Sequence, residues 1–330
     1  MNKISIILPY KENFSPAYAG AVSLHVEHIS LNSIFGKNIR VFGNTNFKKK
    51  FKSNYTNITF NQLLLTSNQK KYIKKFIEIE NLNPSSLIEI HNRPLYLKQL
   101  TENLNRKFVF HYHNDPLTMN GSRLVKERIF MINNCEKIIF CSNWVKKRFL
   151  KNINENYIND DKFLIINHSI NKKKINFDKK KKIITFVGRL NSAKGYDIFG
   201  KAIIKILDKH KDWHAHVAGD EPREKLEFNH ERIIKHGFLN HDQILKLYEL
   251  SSISVTCSRW EEPFGRTSLE ASPSGCAVIV SKRGGLDETV TNAVKLKELN
   301  KNILFKEINN LIKQTKKEKS YRYCLTRIFI

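Results

Sequence analysis

Short apolar, β-branched runs recur along the chain and are separated by stretches of helical period. In the first half they fall at Ile4–Leu8, Ile39–Phe42, Leu87–His91, Phe108–His113, Ile138–Cys141 and Leu164–Asn167. Near-continuous apolar strands alternating with helices mark βαβ units and a parallel sheet. The rhythm stops at INKKKINFDKKKK, Ile170 to Lys182, which has no apolar periodicity and reads as an interdomain linker. It restarts with Ile183–Val187, His214–Ala218, Ile233–His236, Ile253–Cys257 and Ala277–Ser281. The expectation is an α/β chain of two doubly wound, Rossmann-like domains, 1–170 and 171–330, facing a cleft. A chain of 330 residues is long enough for two cores. No repeat of roughly 20 to 50 residues is visible, which sets aside solenoids and propellers.

In such sheets ligands bind beyond the C-terminal ends of the strands. After Val187 comes GRLNSAKG, with Arg189 and Lys194; after Ala218, GDEP; after Ser258, a segment ending in EPFGRTSLE; after Val280, SKRGGLDE. Gly284 and Gly285 in the last allow a close backbone approach. In EPFGRTSLE, Pro263 and Gly265 break regular structure and Arg266 to Ala271 can begin a helix, whose free N–H groups attract a diphosphate. Glu270 falls one turn inside that helix and Glu262 stays on the loop before it. The two carboxylates can then bracket one ligand, accepting hydrogen bonds from hydroxyls at its two ends. Taken singly, Arg189 and Lys194 are ordinary solvated charges and the two acids ordinary surface acids. Four strand ends of this half bearing glycine, cations and acids favour a binding site.

In the first half, His111, His113 and Asp115 alternate at strand spacing and can share one face. Metal ligands also read that way, but no further ligand lies at a familiar spacing, so no metal is expected. His214 and His216 repeat the alternation beside Trp213 and read as part-buried strand histidines.

FVGRLNSAKGYDIF, the segment HGFLNHDQILKLYELSSISVTCSRWEEPFGRTSLEASPSGCAVIVSKRGGLDE and the position of the linker together resemble the retaining glycosyltransferases of family 4, which have the GT-B fold. The resemblance spans most of residues 183–290. Ser15–His25 stands where the family has a glycine-rich loop after its first strand, and HYHND at 111–115, CSNWVKKRF at 141–149 and INHSIN at 166–171 occupy the places of comparable segments. The GCAVI and GGLDET wording is similar to bacterial lipopolysaccharide and cell-surface glycan transferases.

The resemblance implies a transferase without metal or other cofactor, with an N-terminal acceptor domain and a C-terminal domain binding a UDP- or GDP-sugar. The acceptor would be a glycan or lipid-linked. Carried over, His113, Arg189, Lys194 and Glu262 would be catalytic. The donor would meet Gly20, Gly188, Arg189, Lys194, Gly219, Phe238, Glu262, Phe264, Gly265, Arg266, Thr267 and Glu270. Within that set Glu262 would hold donor-sugar hydroxyls and Glu270 the ribose, and His113 would touch the donor sugar through its ring or carbonyl. Arg189, Lys194 and the helix start at Gly265–Thr267 would stabilise charge growing on the departing diphosphate. The sequence departs from the pattern in its lone Gly20, in Pro273, which should end the Glu270 helix early, and after Glu288, where a short lysine-rich stretch leaves the final crossing helix of the fold in doubt.

A net charge of +26, carried by lysine more than arginine, calls for an anionic partner. KKYIKKFI at 70–77 puts lysines on one helical face and Tyr72, Ile73, Phe76 and Ile77 on the other; with FKKKFK at 47–52 it suits either a surface helix docked on its core or a helix lying on anionic lipid. No run approaches the roughly 18 apolar residues needed to span a bilayer, and Ile4–Leu8 is too short for a signal-peptide core. Five cysteines without paired spacing fit a reducing cytosol, so the expected location is cytoplasmic, in contact with the inner face of the plasma membrane. Two rival readings remain. A basic nucleic-acid-binding protein would show base-stacking aromatics among its cations or a reading motif, and neither is found, so nucleic acid is not an expected partner. An epimerase acting on nucleotide sugars, or an inactive relative, would share the fold.

Overall fold

The computed structural model describes residues 3–60, 67–171 and 175–314, and the chain divides into two compact units at His168/Ser169. In the first unit the strands are β1 (Ile4–Ile7), β2 (Ile39–Gly43), β3 (Tyr55–Asn57), β4 (Leu87–His91), β5 (Lys107–Tyr112), β6 (Lys137–Phe140) and β7 (Phe163–Ile165). Its helices are α1 (Ala21–Asn32), α2 (Asn68–Leu82), α3 (Leu95–Asn103), α4 (Val125–Asn134) and α5 (Asn143–Leu150). The sheet order is β3-β2-β1-β4-β5-β6-β7, parallel at every pairing.

The second unit contains β8 (Lys181–Val187), β9 (His214–Ala218), β10 (Ile233–Lys235), β11 (Ser251–Thr256), β12 (Ala277–Ser281) and β13 (Val294–Leu296). Its helices are α6 (Tyr196–Lys209), α7 (His241–Leu250), α8 (Arg266–Ala271), α9 (Leu286–Thr289) and α10 (Lys301–Lys313). The order β10-β9-β8-β11-β12-β13 repeats the doubly wound plan of the first unit. In α6, Phe199, Ala202, Ile203 and Ile206 recur at helical spacing and share a core with Ile184, Ile253 and Ile279 of the sheet. Leu304, Ile308 and Leu311 of α10 complete that core against α6.

Several expectations need correction. β3 and β13 were not read from the pattern, because three-residue edge strands carry too few alternations to stand out. β5 ends at Tyr112, so His113 begins a loop and does not continue the strand. Asp115 leaves the histidine face altogether: it caps the turn at Pro116–Thr118 and holds the Arg148 guanidinium at 2.7 Å. The stretch after Glu288 forms β13 and the amphipathic α10; residues 315–330, including Cys324, lie outside the described residues. α8 stops at Ala271, two residues before Pro273, as the proline requires.

The apolar side of α2 belongs to the core. Tyr72, Ile73, Phe76 and Ile77 are buried, the Tyr72 hydroxyl donates to the Leu8 and Phe42 carbonyls at 3.0 and 3.2 Å, and the Phe76 ring meets Phe42 edge-on. Of the two readings of α2, the helix docked on its own core is the one the structure has; Lys70, Lys74 and Lys75 face water together with Glu78, Asn81 and Leu82.

The lysine-rich segment between the units is not solvated throughout. Lys180 Nζ donates to the carbonyls of Tyr248, Ser251 and Ser274 at 2.7, 2.8 and 2.7 Å, and burial holds its pKa below the ordinary lysine value. Removing the ammonium strands three acceptors, so Lys180→Met should lower the unfolding free energy by about 3 kcal/mol. Lys179→Met, at an exposed neighbour, should change it by less than about 0.5 kcal/mol. Urea denaturation of the two variants checks this; equal midpoints would contradict the buried role of Lys180.

Candidate active site

Glycines shape the ends of β8 and β9. Gly188 adopts φ 149° with open space where a side chain would stand, and Gly219 adopts φ 134° so close to Gly188 that a Cβ would collide with the Gly188 carbonyl oxygen. Arg189 follows, exposed. Asn191 then caps the turn Ser192–Lys194, accepting from the Lys194 N–H at 3.0 Å, and donates through its amide to Glu221 at 2.9 Å.

This turn is clamped to the loop after β11. Arg259 grips Asp197 with two bonds of 2.5 and 2.7 Å and the Ser192 carbonyl at 2.6 Å, while the N–H groups of Arg259 and Trp260 both donate to the Ala193 carbonyl. The clamp brings Lys194 Nζ into an ion pair with Glu262 Oε1. Glu262 is itself pinned from behind: it bridges Gly284, and its carbonyl accepts from the Gly285 N–H at 2.7 Å. The close approach expected at Gly284 and Gly285 is therefore made by the Glu262 main chain.

Gly265, with φ 106°, turns the chain into α8. Within α8, Arg266 Nε reaches Glu270 Oε1 at 2.7 Å, and His241 Nε2 from the start of α7 approaches the same oxygen at 3.0 Å. Burial alone would raise the Glu270 carboxyl, but the Arg266 charge and then the His241 hydrogen bond outweigh it and hold the group below its ordinary 4.5. Thr267 is half-buried and Phe238 exposed. Phe264 points inward, its ring 4% exposed and its carbonyl accepting from Thr289, so it offers no side-chain surface to a ligand. The structure thus joins Lys194 to Glu262 and Arg266 to Glu270, in two acid–cation pairs flanking one short helix start. Arg259, Asp197, Asn191 and His241 escaped sequence reasoning, because each acts on a partner distant in the chain.

In the first unit, Gly20 precedes α1 and leaves room for the Glu12 carboxylate, which accepts from the Ser23 N–H at 3.1 Å. That end of α1 is occupied by an acid of the chain itself. His113 lies on the loop after β5, 7% exposed, inside a chain of rings: His91 Nδ1 stands 2.8 Å from His113 Nε2, and His113 Nδ1 2.8 Å from His168 Nε2. At the far end His91 Nε2 meets Glu89 Oε1 at 2.6 Å, with His111 Nε2 3.1 Å from the same oxygen. Burial pushes His111 down to about 4 against the pull of Glu89. Burial also acts to raise Glu89, yet the two histidines hold it at about 2. With Glu89 ionised, His91 donates from Nε2 and each following ring donates toward Glu89. Asn92, at φ 55°, turns the chain out of β4 and accepts from the His113 N–H at 3.3 Å.

The family model for glycosyl transferases group 1 matches residues 167–324. The match covers nearly the whole of the second unit. An uncharacterized glycosyltransferase of Methanocaldococcus jannaschii is 33% identical over 157 residues, 41% of this chain and 40% of its own length. The lipopolysaccharide core biosynthesis mannosyltransferase LpsB of Rhizobium meliloti is 34% identical over 130 residues, 36% of this chain and 37% of its own length. The alignments thus span about two fifths of these curated relatives. Among solved structures, HepE of Anabaena in complex with UDP-glucose superposes with a TM-score of 0.73 at 18% identity, over 97% of this chain and 92% of that one. WaaG, a glycosyltransferase involved in lipopolysaccharide biosynthesis, gives 0.67 at 12%, over 99% and 96%. These likenesses extend through both units and give the architecture as GT-B.

Because the Glu270 carboxyl is held below its unfolded value, its contribution to stability is complete above about pH 4.5 and is lost as the pH falls through its folded pKa. The urea midpoints of the wild type and Glu270→Gln should differ most near neutral pH and converge as the pH falls below the folded pKa of Glu270. A gap independent of pH would refute the buried ion pair as its source.

Proposed function

We propose that this protein is a retaining glycosyltransferase that moves a sugar from a nucleoside-diphosphate sugar to a glycan or lipid-linked acceptor in cell-surface polysaccharide synthesis. The observation that carries this reading is the paired set Lys194–Glu262 and Arg266–Glu270, built on strand-end loops of the unit that the group 1 glycosyltransferase family model matches. The relatives named for lipopolysaccharide synthesis support the substrate class.

Without ligand, each cation neutralises its own acid. A bound diphosphate draws Lys194 and Arg266, with the exposed Arg189, toward its oxygens, and the sugar and ribose hydroxyls take over the carboxylates of Glu262 and Glu270. As the anomeric C–O bond breaks, negative charge grows on the leaving diphosphate, where these cations and the N–H groups opening α8 stabilise it. In this scheme the diphosphate requires no metal ion. His113, on the loop after β5, is proposed as a further catalytic residue.

No helix among the described residues is long and apolar enough to cross a membrane. For a lipid-linked acceptor we propose contact with an anionic membrane surface through charge and a small apolar patch: Leu31, Ile34 and Phe35, at the end of α1, are exposed beside Lys37.

A screen of UDP-, GDP- and ADP-sugars should find one nucleotide class that raises the melting temperature at micromolar concentration and is slowly hydrolysed. Glu262→Ala and Lys194→Ala should each reduce kcat at least about a hundredfold while preserving the circular dichroism spectrum. Near wild-type turnover in both would remove the site assignment. A product altered in its sugar without any acceptor would indicate an epimerase.

A further inference from the structure

Glu89 and His91 lie two residues apart on β4 and so share one face of the sheet, and His111 is the registered partner of His91 on β5. Glu89 Oε1 stands 2.6 Å from His91 Nε2 and 3.1 Å from His111 Nε2, and the two imidazoles stack with centroids 4.6 Å apart. The three donor atoms lie within 4.8 Å of one another. We propose that Glu89, His91 and His111 form a binding site for a divalent transition-metal ion of the zinc class.

Two imidazole nitrogens and one carboxylate oxygen form a set that zinc accepts, leaving a fourth position open. Bonds of about 2.0–2.2 Å place tetrahedral ligand atoms about 3.3–3.5 Å apart, so the ion would part Glu89 from His91 by about 0.7–0.9 Å and from His111 by about 0.2–0.4 Å, movements within reach of side-chain rotation. The donors are fixed by the sheet: β4 supplies two and β5 the third, on strands locked in register, and His91 and His111 are 0% and 6% exposed. A partner for the second nitrogen is already in place, since a zinc-bound histidine typically donates its other N–H to a polar neighbour, and His91 Nδ1 stands 2.8 Å from His113 Nε2.

That bond gives the ion a consequence. An acceptor carboxylate at Glu89 calls for a His91 tautomer with its proton on Nε2 in the unloaded state. With an ion on Nε2 the proton moves to Nδ1 and is donated to His113 Nε2. His113 then carries its proton on Nδ1 and donates to His168 Nε2. The same number of protons remains on the rings, and the tautomer of His113 is reversed. The site itself does not depend on the transferase reading; only this consequence bears on it.

Chelator-treated full-length protein should bind one equivalent of Zn²⁺ at micromolar concentration, and Co²⁺ in its place should give visible absorption bands that Zn²⁺ bleaches. His91→Gln and His111→Gln should abolish these bands, and Glu89→Gln should weaken binding at least tenfold. The competing surface pair is His216 and His236, 3.0 Å apart in the second unit, and its double glutamine variant should bind as the wild type does. Absence of a one-to-one cobalt spectrum in the wild-type protein overturns the proposal, as does loss of binding in the His216/His236 variant. If the buried variants fail to fold, those two measurements decide.

Discussion

Register between neighbouring parallel strands is the constraint from which both residue clusters follow. A parallel strand delivers its next loop at the same edge of the sheet as its neighbour does, however far apart the two lie in sequence. β8 pairs with β11, so the turn carrying Lys194 and the loop carrying Glu262 leave the sheet side by side, 68 residues apart in the chain. β4 pairs with β5, and His91 opposes His111 for the same reason. The glycines at 219 and 284 let these loops approach more closely than side chains would permit.

Much of this architecture was legible in the amino-acid pattern. β1 and β12 are short runs of apolar, largely β-branched residues that are buried almost throughout. The candidate residues after β8 and β11 were legible too, because Gly, Lys and Glu at strand ends suit few structural purposes. What stayed hidden were the partners. Arg259 binds Asp197 across 62 residues and His241 binds Glu270 across 29, spacings that carry no periodic signal. Lys180 looked like one more lysine of a solvated linker, and only the fold shows the three carbonyls waiting for it.

The histidines make the same point in reverse. Alternation predicted that His111 and His113 share a face with Asp115, but the strand ends at Tyr112 and Asp115 turns away to Arg148. The acid that joins them is Glu89, from the adjacent strand, with His25 of α1 stacked over His168 at 4.7 Å to close the group. A period-two pattern identifies neighbours along one strand only; neighbours across strands need the register, which one strand's sequence does not contain.

The two acid–cation pairs of the second unit bear on selectivity. A buried carboxylate deprived of its cation is costly, commonly by several kcal/mol, and Glu270 is 4% exposed. An anion that drew Lys194 and Arg266 away and offered nothing in return would strand both acids, so inorganic phosphate would be a poor ligand for the proposed site despite its charge. A nucleoside-diphosphate sugar brings phosphate oxygens for the cations and hydroxyl donors for the acids in one molecule, so every group that loses its partner gains another. Recognition in the proposed reaction would then lie in exchanging partners, and the large positive charge of the chain would act on encounter more than on choice.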